Sequence, residues 1–300
     1  MLLDTASLYF RAFYGVPDKV KAEDGTSVNA ARGLLDIIAK LVTTYEPTRL
    51  VACWDDDWRP GWRVELLPTY KAHRVVEAVA GAPDVEEVPE ALTAQIPLIR
   101  DTLTALGIAV VGAADHEADD VIGTLASRAD VPVDIVTGDR DLFQLVDDAR
   151  GIRVIYTARG MSNLDIIDDA AVQARYGIRA AQYADFAALR GDPSDGLPGV
   201  PGIGEKSAAA LLTACGDLPG IRTAAADGTA GSPAQRAKIL AAAEYLDVAP
   251  TVVRVARDLD LTPADDRIHV DDSRAAAATE LAARWNLGTS MTRALTALRG

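Results

Sequence analysis

Short apolar runs alternate with helical patterns over the first two-thirds of the chain. The runs are Met1–Asp4, Leu50–Asp55, Ile108–Gly112, Val133–Thr137 and Arg153–Tyr156. Helical periodicity fills the gaps over Ser27–Val42, Ala91–Leu106, Ala118–Arg128 and Asp141–Val146. Strands alternating with helices predict an α/β fold, a mostly parallel central sheet flanked by helices. Between Trp58 and Pro89 the pattern fails, and aromatic, basic and proline residues dominate. That insertion reads as a loop or a short helical excursion. After about Asp165 the strands stop, and Ala-rich helical segments follow, divided at Gly191–Gly204, Gly216–Gly220 and Gly228–Pro233. The pattern thus gives an α/β core over 1–165, with an insertion at about 58–90, and a helical extension over 166–300 packed against the sheet.

The apolar runs share a feature at their ends. Met1-Leu2-Leu3 ends in Asp4, and Leu50–Trp54 ends in Asp55. After Gly112 comes His116-Glu117-Ala118-Asp119-Asp120, which opens a helix; after Thr137 comes Gly138-Asp139-Arg140-Asp141, which opens another. Ligands bind outside the carboxyl ends of strands in an open parallel sheet, so these acids are expected to converge. Any one of them alone reads as a helix cap that satisfies free N–H groups. Joined by Asp192 and Asp195, they are too many to share a cleft while ionised unless cations neutralise them. An all-oxygen donor set suits Mg²⁺ or Mn²⁺, not Zn²⁺.

Gly191 to Lys206 reads GDPSDGLPGVPGIGEK and leads into a helix over Ser207–Ala214. The Gly-Ile-Gly turn places backbone N–H groups at a helix N-terminus, where a phosphate can approach closely. Lys206, in the first turn, is unfavourable for the helix dipole unless an anion is nearby. Alone, such a turn serves equally well as a plain helix–helix connection. Beside Asp192 and Asp195 it reads as a phosphate holder.

Composition changes this picture in three ways. Three hundred residues, 49% hydrophobic, suffice for one large domain or a main domain with a satellite. No window approaches the roughly 18 apolar residues of a membrane span, and the start lacks a signal peptide's basic region and cleavage site. Cys53 and Cys215 read as buried reduced thiols of a cytosolic protein, and no Cys or His pair has zinc-ligand spacing. The net charge of −14 is opposite in sign to what phosphate binding favours. Two divalent ions would offset part of it, and screening over about 8 Å makes local charge decisive. The charge therefore argues against a non-specific nucleic-acid binder but not against a site-directed nuclease.

The pieces LLDTASLYFR, LLPTYKAHR, HEADDVIGTLA, TGDRDLFQLV and GDPSDGLPGVPGIGEKSAAALL run from residue 1 to about 215. Together they closely resemble the 5′-nuclease (flap endonuclease) family, which includes the 5′→3′ exonuclease domain of bacterial DNA polymerase I. The resemblance implies a PIN-like 5′-nuclease core with a helical arch, and a helical DNA-binding region whose helix–hairpin–helix spans about 191–215. It implies one metal subsite from Asp4, Asp55, Glu117 and Asp119, with Asp120 alongside. A second subsite would use Asp139, Asp141, Asp192 and Asp195, and two or three Mg²⁺ or Mn²⁺ would fill the pair. Tyr70, Lys71 and Arg74 match the arch and, with Arg11, should face the scissile phosphate. Gly202, Gly204 and Lys206 should touch DNA, and the carbonyls of Val200 and Ile203 should hold K⁺ or a similar monovalent ion.

Two positions depart from the family: Thr5 stands where Gly is usual, and Gly196 where Asn is common. Neither removes a ligand. Trp58 and Trp62 match no family role and are expected as buried anchors of the arch base, and His116 as a structural neighbour of the acids. The implied reaction is two-metal hydrolysis of DNA phosphodiesters leaving a 5′-phosphate and a 3′-hydroxyl, with Lys71 stabilising charge on the phosphate.

The implied partners are DNA with 5′ flaps, nicks or free 5′ ends, and a polymerase or ligase. The protein would act as a monomer in the bacterial cytoplasm, at the nucleoid, in replication and repair. The sequence carries no polymerase domain after Gly300, so a free-standing nuclease and a fragment of a longer polymerase both remain open. Two rivals are a catalytically weak structure-specific DNA-binding protein and a PIN-like single-strand ribonuclease. The full second acid set opposes the first, and the arch and hairpin oppose the second.

Overall fold

The computed structural model describes residues 1–79 and 84–300. β1 (Leu2–Asp4) runs into α1 (Thr5–Gly15), and α2 (Asn29–Tyr45) leads to β2 (Val51–Cys53). The insertion holds α3 (Gly61–Leu66) and an antiparallel pair, β3 (Val75–Glu77) with β4 (Val85–Glu86). Next come α4 (Glu90–Thr93), α5 (Ile96–Ala105), β5 (Ala109–Val111), α6 (Ala118–Arg128) and β6 (Val133–Thr137). β7 (Ile152–Tyr156) and β8 (Asp165–Ile167) complete the sheet. Eight helices follow: α7 (Asp169–Tyr176), α8 (Tyr183–Arg190), α9 (Glu205–Cys215), α10 (Leu218–Asp227), α11 (Pro233–Ala241), α12 (Ala243–Val253), α13 (Asp272–Arg284) and α14 (Gly288–Arg299).

The strand order is β5-β2-β1-β6-β7-β8. Leu2 lies opposite Val51 on one side and Ile135 on the other, both parallel, as the apolar runs predict. Side chains alternate between faces. Leu2, Val51, Cys53 and Ile135 join a core under α6, α8 and α9, while Leu3, Ala52, Trp54 and Val136 join one under α1, α2 and α5. The chain steps outward from β1 through β2 to β5 and returns on the other side of β1 as β6. That reversal leaves a crevice at the carboxyl ends of β1 and β6, which is where such sheets bind ligands.

Four expectations need correction. Strands do not stop at about Asp165, because β8 pairs antiparallel with β7 as an edge strand, Ile166 opposite Ile155. Three residues are too few to show a period. Residues 91–106 are two helices, since buried Gln95 turns aside and accepts from Ala30 N at 2.8 Å and Ala31 N at 3.3 Å, capping α2. Asp141–Leu145 is a 3-10 turn, buried on every side and so without the polar face of a surface helix. The insertion contains a small β-hairpin as well as a helix; its residues 80–83 lie outside the described ones.

The last helices do not continue the helical region. Leu287, Met291, Ala294 and Leu298 join the apolar cluster of α2, and Ser290 Oγ donates to Asp36 on α2 at 3.1 Å. Among the described residues no helix is long and apolar enough to cross a membrane. Cys53 is a buried free thiol, while Cys215 is free and half-buried, less enclosed than expected.

Candidate active site

Each acid is positioned by the element it ends or begins. Asp4, at the end of β1, caps α1 by accepting from Ser7 N at 3.1 Å, and its other oxygen accepts from Thr137 Oγ1 at 2.6 Å. Asp55 follows β2 and accepts from Ala118 N, at the start of α6, at 2.7 Å. Asp139 follows β6 and accepts from Asp141 N at 2.8 Å. Asp4, Asp55, Glu117, Asp119 and Asp139 line one cleft of about 520 Å³, and Lys71, Arg74 and Glu86 of the insertion line it too. The topology thus gathers carboxylates from three strand ends and one helix start. Among the described residues no three His, Cys, Asp or Glu side chains lie close enough together to form a metal-holding group.

Burial raises the carboxyls and the neighbouring acids raise them further. Asp4 is pushed up to about 6, burial leading and Asp139 adding, against the bonds from Thr137 and Ser7. Asp55 is pushed up to about 7 by burial and by Asp4 and Glu117. Asp119 lies well above the usual range, from burial and then Asp4 and Asp139. Asp141 lies there too, from burial, Asp139 and Asp195, and its Oδ1 is buried without a hydrogen-bond partner. Burial, then Asp139 and Glu117, carry Asp195 up to about 6 against Lys71 and Arg74. Asp139 is therefore the link between the acids of the cleft and the group Asp141 and Asp195 behind it.

The arch residues stand over these acids. Lys71 is buried and paired with Glu117, and Tyr70 Oη donates to the same carboxylate at 2.6 Å. Lys71 has φ +46°, a conformation uncommon for a residue with a Cβ. Its N–H donates to Asp195 O at 3.0 Å, which ties the arch to the loop before the hairpin. Gly196 shows why no larger residue fits there, since a Cβ would collide with Thr69 O. Arg74 donates to Ser194 O at 2.8 Å and lies 3.4 Å from Asp195. Arg11 sits beside the cleft and not within it: it lines the adjoining groove, near Gly138, with its buried Nε unpartnered.

Asp120 stands next to Glu117, accepting from its N–H at 3.3 Å, but its carboxylate is bonded to an arginine and does not line the cleft. Its carboxylate accepts from both Arg63 Nη atoms, at 2.7 and 2.8 Å, and from Ala256 N at 2.8 Å. Arg63 also reaches Glu117 at 2.9 Å and Val252 O at 3.0 Å. This guanidinium, unrecognised in the sequence, joins α3, α6 and the end of α12 behind the cleft. Its signal was a lone arginine amid Trp62, Val64, Leu66 and Leu67.

Asp192 likewise faces Arg190 at 2.8 Å and Arg140 at 3.3 Å, and Ser194 bonds it as well. It braces the Gly191–Gly196 loop and lines no part of the cleft. Trp58 and Trp62 are half-buried, not buried, and donate to Asp84 O at 2.6 Å and Asp115 O at 3.2 Å. His116 bonds Ala114 O at 2.8 Å and does not line the cleft.

At the hairpin, Val200 and Ile203 are buried, leaving Gly202, Gly204 and Lys206 exposed. Tyr245 Oη accepts from Gly199 N at 3.2 Å and donates to Ala188 O at 2.9 Å, bracing the turn from α12.

Residues 1–177 match the 5′-3′ exonuclease N-terminal resolvase-like domain, and residues 178–276 the 5′-3′ exonuclease C-terminal SAM fold. The chain belongs to the 5′-3′ exonuclease family. It is 60% identical over 299 residues to a Streptomyces coelicolor protein named 5′-3′ exonuclease, covering 99% of both chains. A Mycobacterium tuberculosis protein of the same name is 49% identical over 311 residues, covering 99% of this chain and 97% of that one. As a member of this family the chain is a 5′ nuclease. Its fold is that of the T5 5′-exonuclease solved with zinc bound (TM-score 0.65, 18% identity, 100% of this chain and 99% of that one). The catalytic core of Rad2 in complex with DNA substrate shares it (TM-score 0.61, 18% identity, 100% and 92%).

Proposed function

We propose that this 5′ nuclease is divalent-metal-dependent and structure-specific, cutting DNA at 5′ flaps, nicks and free 5′ ends. The observation that carries the reading is the cleft itself, where Asp4, Asp55, Glu117, Asp119 and Asp139 face Lys71 and Arg74. The residues fit metal ions. The donors are all oxygens, the hard ligands that Mg²⁺ and Mn²⁺ prefer. Raised carboxyls and the orphaned Asp141 oxygen mark a cluster that lacks compensating positive charge. Asp4, Asp55, Glu117 and Asp119 would hold one ion, and Asp139, Asp141 and Asp195 another, with Asp192 supporting their loop. Bound divalent ions supply an activated water and a stabilised leaving oxygen.

The chain's own residues do the rest. Glu117 holds the Lys71 ammonium at the cleft. Released from Glu117, that ammonium adds positive charge where negative charge develops on the phosphate. Arg74 orients the strand from the same side. The hairpin amides and Lys206 grip the backbone away from the cut. In this reading the protein works as a monomer and passes its product to a polymerase or ligase. The test is cleavage of a 5′-flapped duplex in Mg²⁺ or Mn²⁺, run beside single-stranded RNA. The flap should be cut and excess EDTA should abolish cutting. Full activity in EDTA removes the metal, and preference for RNA moves the chain to the ribonucleases.

A further inference from the structure

The hairpin carries a cation that the nuclease reading leaves unused. Lys238, on α11, donates from Nζ to Gly202 O at 3.3 Å, at the tip of the turn. Gly202 has φ +75°, and a Cβ there would collide with this ammonium and stand 3.2 Å from Lys238 Cε. The lysine does not dangle: the next residue, Ile239, is 2% exposed and fixes α11 in the core. Among the described residues no carboxylate lies within salt-bridge distance of the ammonium. Glu205, the acid nearest in sequence to the tip, lies 3.3 Å from Arg190.

These contacts put a positive charge where a free ion was expected. Val200 O accepts from Ile203 N at 2.9 Å, which engages one of its two lone pairs, and the lysine bonds Gly202 O two residues on. A second cation on the same turn would meet the ammonium at close range, where like charges cost about 1 kcal/mol or more even in water-like surroundings. The lysine therefore competes with the expected K⁺-like ion for this turn.

We propose that Lys238 is the hairpin's built-in cation. Its ammonium takes the place of a free monovalent ion and, with Lys206 and the exposed N–H groups, holds one backbone phosphate. The inference rests on the reading of the hairpin as a DNA-binding element. In a chain of net charge −14, a tethered cation gives the turn local positive charge without taking up an ion.

The test is binding of a flapped duplex in Ca²⁺, followed by fluorescence anisotropy. K⁺ is compared with tetramethylammonium, too bulky to sit on carbonyls, at equal ionic strength. The parent should bind alike in both salts. Lys238→Met should bind about fivefold more weakly in tetramethylammonium at about 0.15 M, one phosphate contact's share of the counterion effect, and recover in K⁺. Since Lys238 is exposed, its unfolding midpoint should match the parent's. The proposal falls if K⁺ strengthens the parent as much as the variant, or if Lys238→Met binds like the parent in both salts. Lys206→Glu separates the two readings. If it weakens binding while Lys238→Met does not, only the tethered cation is lost; if neither does, the hairpin reading falls with it.

Discussion

Replacing Arg63 by Met should unfold the protein at markedly lower temperature while leaving the surface and the hairpin unchanged. The guanidinium is almost wholly enclosed, with 3% side-chain exposure, and Asp120 beneath it is fully buried. It makes two bonds to Asp120, one to Glu117 at 2.9 Å and one to Val252 O at 3.0 Å. Methionine fills the volume but leaves Asp120 with only backbone donors, Glu117 N and Ala256 N. Removing one partner of a buried pair costs about 3–5 kcal/mol, because the other charge stays uncompensated. For a chain of this size, each kcal/mol moves the midpoint by about 2 °C, so a drop of roughly 6–10 °C is expected in thermal unfolding. Arg63→Lys keeps the charge without the planar fork and should fall between parent and Met. Adding Asp120→Asn to Arg63→Met should recover part of the loss, since the stranded charge is gone, and the double-mutant cycle measures the coupling. A shift under about 2 °C for Arg63→Met, or additive behaviour of the two changes, would refute the reasoning.

Lys71→Ala should lower the single-turnover cleavage rate by about 10²–10³ while binding changes little, because its charge acts on the reacting phosphate; lost binding at an unchanged rate would make it a tether. Without divalent ions, stability should rise as pH falls from about 8 to about 5. The sign follows from folded-state values raised to about 6 for Asp4 and Asp195 and about 7 for Asp55, so the folded state takes up protons first; urea unfolding in EDTA across that range checks it, and a flat or opposite trend contradicts it. Deleting residues 271–300 should expose the α2 face now covered by Leu287, Met291 and Leu298. At about 1.5–3 kcal/mol per buried side chain the loss rivals a whole domain's margin, and limited proteolysis should then cut within α2.

Much of the fold was legible because β1, β2 and β6 are buried on both faces and read as continuous apolar runs. α1 was not. Its sequence, TASLYFRAFYG, is rich in aromatic residues that do not mark helices, and its start signal was the same Asp4 already assigned to the site. The break at Gln95 was equally hidden, since the reason for it lies in the N-terminus of α2, more than sixty residues upstream. Spacing along the chain cannot show a bond of that kind. The partner of Asp120 was hidden for the same reason: Asp120 stands within one turn of two other acids, and only Arg63, 57 residues away, sets it apart.

The acids also show why two readings of them were never alternatives. A carboxylate near a helix start can bond free backbone N–H groups and hold a ligand at once. In the structure Asp55 accepts from Ala118 N through Oδ1, and Asp139 accepts from Asp141 N through Oδ1. Each of these bonds from a backbone N–H occupies one oxygen and orients a carboxylate that follows a strand. The second oxygen of each has no hydrogen-bond donor among the described residues and remains for the cleft. Such a bond also favours the ionised form, opposing the burial and mutual repulsion that raise Asp55. Bonds from backbone N–H groups thus keep Asp55 and Asp139 oriented with one oxygen each toward the cleft, while Asp4, which caps α1, is held through both oxygens. Asp119, raised well above the usual range, has no such bond and depends most on the ion to neutralise it.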